Sequence, residues 1–297
     1  MSFLFGLLFL LAPLYVWRFE LVGLSTNFFM IYSGFVLVVG IVDIIWRKRL
    51  PEYFTIMKAL PKAVVWIVSL FFVASIISLF VNGIDFAKIG QWLVLYVLPI
   101  GLAKLLYYYL KSGQISRQTL LGNIYIFLFS VGVLAILQYF FLIGLPHDFW
   151  GNSNEPKRAI GFFAHPNGFA LFVTPLLAYL LPQVRARLEN FRNDLWSWNS
   201  LVILAWLFGA IGLLLSLSRG GWLGLLVAGA VFVIFSSNKK LLLTYFLAGL
   251  VLVGIVFSIP NLRYRVLLPF QGEKSTVARF SLWETGTKMI KDAPVFG

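Results

Sequence analysis

The sequence predicts an all-α, polytopic integral membrane protein with about nine transmembrane helices, and three observations carry that reading. Of its 297 residues 60% are hydrophobic and only 12% charged, with a mean hydropathy of +0.90. A water-soluble domain has no core large enough to hide that much apolar surface. The apolar residues run in unbroken stretches close to the ~20 residues that cross a hydrocarbon core as a helix. Those stretches lack the ten-residue alternation of barrel strands, and without a closed barrel only helices satisfy every backbone polar group in lipid.

Taken in order, residues 2–17 form a first apolar run ending before Arg18. It lacks a basic leader and a small-x-small cleavage site, so it reads as a span and not a signal peptide. A second span at 21–46 is closed by Arg47-Lys48-Arg49, and a third at 63–81 is followed by the polar loop 82–88. The fourth, 89–110, connects through 111–118 to a fifth at 119–145. A polar stretch, 146–157, leads through Arg158 into a sixth at 160–181, and 183–199 is a connection with Arg185, Arg187 and Arg192. The seventh and eighth, 201–217 and 222–236, flank Ser216-Leu217-Ser218-Arg219-Gly220-Gly221, and Asn238-Lys239-Lys240 leads to a ninth at 241–259. Residues 1–259 thus read as the membrane domain and 260–297 as the start of an outward-facing loop. In that tail Ser275 or Thr276 caps a short helix that Pro294 stops. Val277, Phe280, Trp283 and Ile290 recur near helical spacing, an amphipathic helix in the interface or a lid that points Arg279 into a membrane-face cavity.

The net charge of +13 would point to nucleic acid in a soluble chain. Here the cations lie in short connections, where they set topology, and no nucleic-acid partner is expected. With the amino terminus inside, Arg47, Lys48, Arg49, Lys58, Lys62, Lys104, Lys111, Arg117, Arg185, Arg187, Arg192, Lys239 and Lys240 fall inside, with only Asp43, Glu52, Glu189 and Asp194 against them. Arg158, Arg219 and the tail then face outward. The absence of cysteine excludes disulfides, Fe–S clusters and thiol catalysis. Two histidines, His147 and His165, argue against a transition-metal site, and no cofactor is expected.

Arg219 stands where two spans meet. A cation at a helix centre costs roughly 2.5–3.5 kcal/mol on insertion scales. It either snorkels to the headgroups or serves an anion, cavity or interface. Gly220 and Gly221 allow a tight turn and close backbone approach, or close helix packing. Arg158, Arg219 and Arg279 all fall near membrane level on the outward side. Guanidinium is a permanently charged fork donor, suited to phosphate or pyrophosphate. Pro166 and Gly168 break the helix after Arg158, so that His165 and Asn167 present polar groups to a cavity or remain structural. His147 and Glu155 are candidate bases that nothing local activates. Asp43 is the one acid within a span, and Lys104 sits near the inner end of the fourth.

Arg158-x-x-Gly161-Phe162-Phe163-x-His165-Pro166-Asn167, then Ser216-x-Ser218-Arg219-Gly220-Gly221, Arg279-x-x-x-Trp283 and Asp292-x-Pro294-x-x-Gly297 together resemble the O-antigen ligase/polymerase superfamily. The resemblance runs from about Arg158 to the last residue; the earlier spans agree only in hydropathy. It implies a GT-C-like glycosyltransferase in the bacterial inner membrane, active on its outward face. Such an enzyme moves a glycan from undecaprenyl diphosphate to an acceptor glycan or lipid A-core, without metal or nucleotide. It also implies that Arg158, Arg219 and Arg279 are the catalytic diphosphate contacts, and that His165, Asn167, Ser218, Gly220 and Gly221 line the substrate site. Family members continue past the Pro-x-x-Gly element with a histidine-bearing outer loop and further spans. The resemblance therefore implies either that this sequence, ending at Gly297, is a fragment of a longer protein whose general base lies beyond that point, or that the base is missing. Two other classes fit the same resemblance or hydropathy: a bicarbonate-type solute transporter, and a non-catalytic assembly protein or flippase. A transporter calls for ionisable residues deep in spans or inverted repeats, and no repeat is visible.

Overall fold

A computed structural model describes the chain except residues 13–17, 22–23, 82–84, 152–155, 190–200, 237–248, 250–253, 255, 269–273 and 293–297. Most of the ninth span, Glu155, Arg192, Pro294 and Gly297 therefore lie outside the described residues. The architecture is all-α and polytopic apart from one two-stranded hairpin. Six described helices are long and apolar enough to cross a membrane. Contacts divide the chain into two compact units, Met1–Asn123 with Ala278–Gly297, and Ile124–Val277.

The first unit opens with helix α1, Ser2–Leu11, whose 10 residues fall short of a membrane span. Strands β1 (Arg18–Leu21) and β2 (Leu24–Asn27) pair antiparallel, with Arg18 opposite Asn27. The start of the second expected span is therefore strand, and helix α2 begins only at Phe28 and runs to Trp46. Asn27 decides that start, because its side chain accepts the orphan N–H of Met30 at 2.9 Å. Helix α3 (Leu50–Lys58) is a short element unforeseen in the sequence, and α4 spans Lys62–Val81. Helix α5 (Phe86–Trp92) passes through a π-helical turn, Leu93–Val97, into α6 (Leu98–Lys111), one continuous span. Pro99 has no N–H for the α ladder, and Leu98 reaches back five residues to the Leu93 carbonyl.

Phe5, Val36, Ile44, Leu105, Tyr108 and Tyr109 form the buried centre of this unit, where α2 packs on α1 and α6. Asp43 is fully engaged there: Arg47 Nε lies 2.7 Å from one carboxylate oxygen and the Tyr109 hydroxyl 2.9 Å from the other. The acid is an anchor for α2 against α6. By contrast α4 buries none of its side chains, and Trp66, Ile67, Leu70 and Phe71 stand 55–68% exposed. Lipid is the solvent that such a surface fits.

The second unit holds most of α7 (Arg117–Phe141), then α8 (Pro166–Glu189), α9 (Leu201–Leu215), α10 (Arg219–Ser236) and α11 (Pro260–Leu267). Helix α8 starts at Pro166, so residues 160–165 of the expected sixth span are a turn; Gly161 takes a left-handed φ of 57° there. Helix α9 has 15 residues, short of a full crossing. The tail helix α12 (Lys274–Asp292) leaves Val277, Phe280, Trp283 and Ile290 exposed.

Backbones approach closely where α7 crosses α9. A Cβ added to Gly132 would fall on the Phe208 carbonyl, and Gly212 is within 3.3 Å of the Gly132 Cα in the same sense. Gly132→Ala should therefore destabilise the protein by about 1–3 kcal/mol, since backbone has to shift. Gly122→Ala meets nothing within 4 Å and should be neutral. Thermal unfolding of both in detergent checks this; equal midpoints would refute the packing.

Candidate functional site

The site grows from how three helices of the second unit align. Asn167 lies beside Ser218, a Cβ on Gly221 would come within 2.8 Å of Ala170, and Thr174 faces Gly221 and Gly224. Residue numbers rise together along this contact, so α8 and α10 run parallel. Helix α9 runs the other way: Gly212 packs on Phe169 while Trp206 Nε1 donates to the Leu177 carbonyl at 3.0 Å. The amino ends of α8 and α10 therefore meet the carboxyl end of α9. Two sets of orphan N–H groups and one set of orphan carbonyls share one corner.

The carbonyls are all taken. Leu215 O accepts from Ala159 N at 3.0 Å, Ser216 O from Arg158 Nε at 3.1 Å, and Leu217 O from Arg265 Nε at 3.2 Å. Leu217 is buried with φ +52°, a left-handed conformation that costs a non-glycine residue roughly 1–2 kcal/mol. Its packing among Val256, Leu262, Trp222 and Val266 offsets that strain. The tight turn thus belongs to Leu217 and not to Gly220 or Gly221, and of the two roles the sequence left open for the glycines Gly221 takes helix packing. Gly220 and Gly221 lie in the first turn of α10; Gly221 is a packing glycine against Ala170 and Leu213, and Gly220 is exposed with nothing within 4 Å of its absent Cβ.

Asn167 joins the two amino ends, its Oδ1 accepting from Arg158 Nη2 at 3.3 Å and from Ser218 Oγ at 3.1 Å. His165 is the residue before α8, and its Nδ1 accepts from Asn167 N at 3.2 Å. It is a helix cap, so its proton sits on Nε2. Partial burial and, secondarily, the Arg158 guanidinium hold its pKa below the ordinary histidine range. The imidazole is therefore a neutral donor at neutral pH.

Arg219 is the first residue of α10, half-buried, with its Nη1 out of solvent. Arg158, Arg219, His165, Asn167, Ser218, Gly220 and Gly221 thus come together at this corner. Arg279 falls in the other unit, exposed on α12. Sequence reasoning missed two contributors. Arg265, on α11, holds the Leu217 carbonyl. Gln138, near the end of α7 and 1% exposed, takes Ile160 N and Gly161 N on its Oε1 at 3.0 and 2.8 Å and donates to Gly161 O at 2.8 Å. A polar amide inside the apolar run 119–145, one of two there with Asn123, was the available signal for Gln138; Arg265 had none beyond its place in a basic tail.

Chemically the corner gathers positive potential, with two helix amino ends and permanent guanidinium charges, suited to an anion with several oxygens. Among the described residues no three His, Cys, Asp or Glu side chains gather as metal ligands.

The O-Antigen ligase family model matches residues 203–297, which takes in the turn at 216–218, the start of α10, Arg265 and α12. A chain from Haemophilus influenzae described as an uncharacterized protein is 29% identical over 115 residues, covering 31% of this chain and 28% of the relative's own length. No solved structure matches.

Gln138→Leu leaves two buried N–H groups and a carbonyl unpaired at about 1–3 kcal/mol for each orphaned group. It should sharply lower the unfolding midpoint; Gln138→Glu, which retains the accepting oxygens, should be milder, and equal midpoints would contradict the network. For His165 the folded pKa lies below the unfolded value of 6.5. The unfolded chain accepts the proton first, so this contribution to stability is complete above pH 6.5 and lost as pH falls below it. His165→Asn keeps a capping oxygen that does not titrate. Unfolding midpoints measured from about pH 8 to 5 should fall more steeply for wild type than for this variant.

Proposed function

We propose that the chain is a membrane glycosyltransferase that moves a glycan from undecaprenyl diphosphate to an acceptor hydroxyl, as an O-antigen ligase or polysaccharide polymerase does. It works without a metal on the outward face of a bacterial inner membrane, with residues from 260 onward on that same side. The acceptor is a growing glycan or lipid A-core. The observation that carries the reading is the corner where the amino ends of α8 and α10 meet Arg158, Arg219 and Arg265. The O-antigen ligase match over 203–297 supports it.

In this reaction the acceptor oxygen bonds to the anomeric carbon as the bond from that carbon to the phosphate oxygen breaks. The electron pair stays with the departing diphosphate, and the acceptor hydroxyl releases its proton. Negative charge therefore grows at the diphosphate along the reaction. Groups already aimed at it stabilise the transition state more than the ground state. Arg219 at the α10 amino end is the charge partner. Arg158 holds the turn through Nε and Asn167 through Nη2 while adding its charge. His165, whose Nδ1 is committed to the α8 cap, contributes an Nε2–H donor and not a base. The open space over Gly220 leaves the first N–H groups of α10 approachable.

Arg219→Ala should lower glycan transfer by about 10³-fold, by analogy with transition-state arginines. Membrane insertion should be unchanged. The readout in cells is loss of mature polysaccharide with accumulation of undecaprenyl-diphosphate-linked glycan. Wild-type transfer by Arg219→Ala would overturn the proposal; altered solute uptake without donor accumulation would favour a transporter.

A further inference from the structure

A groove of about 760 Å³ lies in the first unit, walled by α3, α4 and α6. Its walls are mostly apolar, with Phe54, Val65 and Trp66 among them, yet three lysines from three different elements line it. Lys58 ends α3, Lys62 opens α4, and Lys104 stands inside α6. No Asp or Glu lines the groove.

Lys104 is the informative member. It sits seven residues before Lys111, the carboxyl end of the Phe86–Lys111 span, or about 10 Å inside at 1.5 Å per residue. A lysine within a span calls for a partner or a cavity, and Lys104 is one of the residues lining this one. Tyr107 lines the same wall, with the Lys111 ammonium 5.8 Å above its ring. Trp66, 68% exposed, stands opposite. Aromatic rings mixed with lysines mark headgroup depth. Helix α4 buries none of its side chains, so the groove opens onto lipid. The loop charges assign this end to the cytoplasmic leaflet, where anionic phospholipid concentrates.

We infer that this groove binds one anionic phospholipid of the bilayer, with its phosphate among Lys58, Lys62 and Lys104 and its acyl chains along α4. Charge complementarity selects the occupant: three cations without an acid match a phosphodiester with a net negative headgroup, and the apolar wall matches its chains. The site is separate from the diphosphate corner and does not depend on its chemistry.

The test uses the purified full chain in detergent, with unfolding midpoints read against phosphatidylglycerol, phosphatidylcholine and inorganic phosphate. Phosphatidylglycerol should raise the midpoint and the other two should not. Lys58→Gln, Lys62→Gln and Lys104→Gln should each weaken the apparent affinity by about fivefold, and the three Lys→Arg exchanges together should keep it. Equal shifts from both phospholipids, a shift from phosphate alone, or full affinity in the triple Gln variant would overturn the site. Should that variant not fold, photoactivatable phosphatidylglycerol on the wild-type protein decides. Adducts should concentrate in residues 54–69 and 100–107, and adducts spread over the other spans would refute it.

Discussion

A chain that reverses direction at the edge of a bilayer must find partners for backbone groups that neither helix satisfies. The turn at residues 216–218 is where that constraint is sharpest. Three successive carbonyls, Leu215 to Leu217, receive donors from Ala159, Arg158 and Arg265. Those donors come from the segment before α8 and from α11, so the turn ties three parts of the second unit together. The left-handed Leu217 makes the reversal tight and is held by apolar packing. Without those donors the carbonyls would lie unpaired in a medium with little water to replace them.

The same turn aligns the electrostatics. Because α9 reverses the chain over one short crossing, α10 begins beside the start of α8, and their amino ends add at one place. Asn167 joins them by accepting from both Arg158 and Ser218. Behind this, buried Gln138 fixes the loop carrying Arg158, and only glycine fits at position 161, because a Cβ there would meet Val131 and Phe169 at 2.6 and 2.9 Å. By satisfying carbonyls Arg158 and Arg265 become fixed, and in the proposed function that fixing matters, because fixed cations stabilise an anion better than mobile ones.

The first unit follows a different logic. Its polar groups turn inward, as where Asp43 is held by Arg47 and Tyr109, or Tyr108 reaches Glu52 at 3.2 Å. Its apolar helix α4 turns outward. Asp43 looked from the sequence like the one acid available to a transport path, and its partners make it an anchor. Lys104, the other ionisable group inside a span, is among the residues that line a groove.

Composition and run length alone determined that this is a helical, polytopic membrane chain, because the polar backbone of long apolar runs must pair its own groups in lipid, and runs without alternation do that as helices and not as a barrel. Most span positions followed, and Arg219 and Arg158 stood out as candidates, since a guanidinium beside apolar runs is visible in one dimension. What the sequence could not convey is which groups are consumed by structure. Asn27 starts α2 through a hydrogen bond, His165 is a cap, Gly221 a packing surface, and Leu217 the turn residue against its own conformational preference. Arg265 and Gln138 act on residues 48 and 22–23 positions away, distances at which periodicity carries no information. Only the tertiary structure decided these, because a backbone group's partner in a membrane is chosen by what packing brings within hydrogen-bonding distance, and packing is a property of all the helices together.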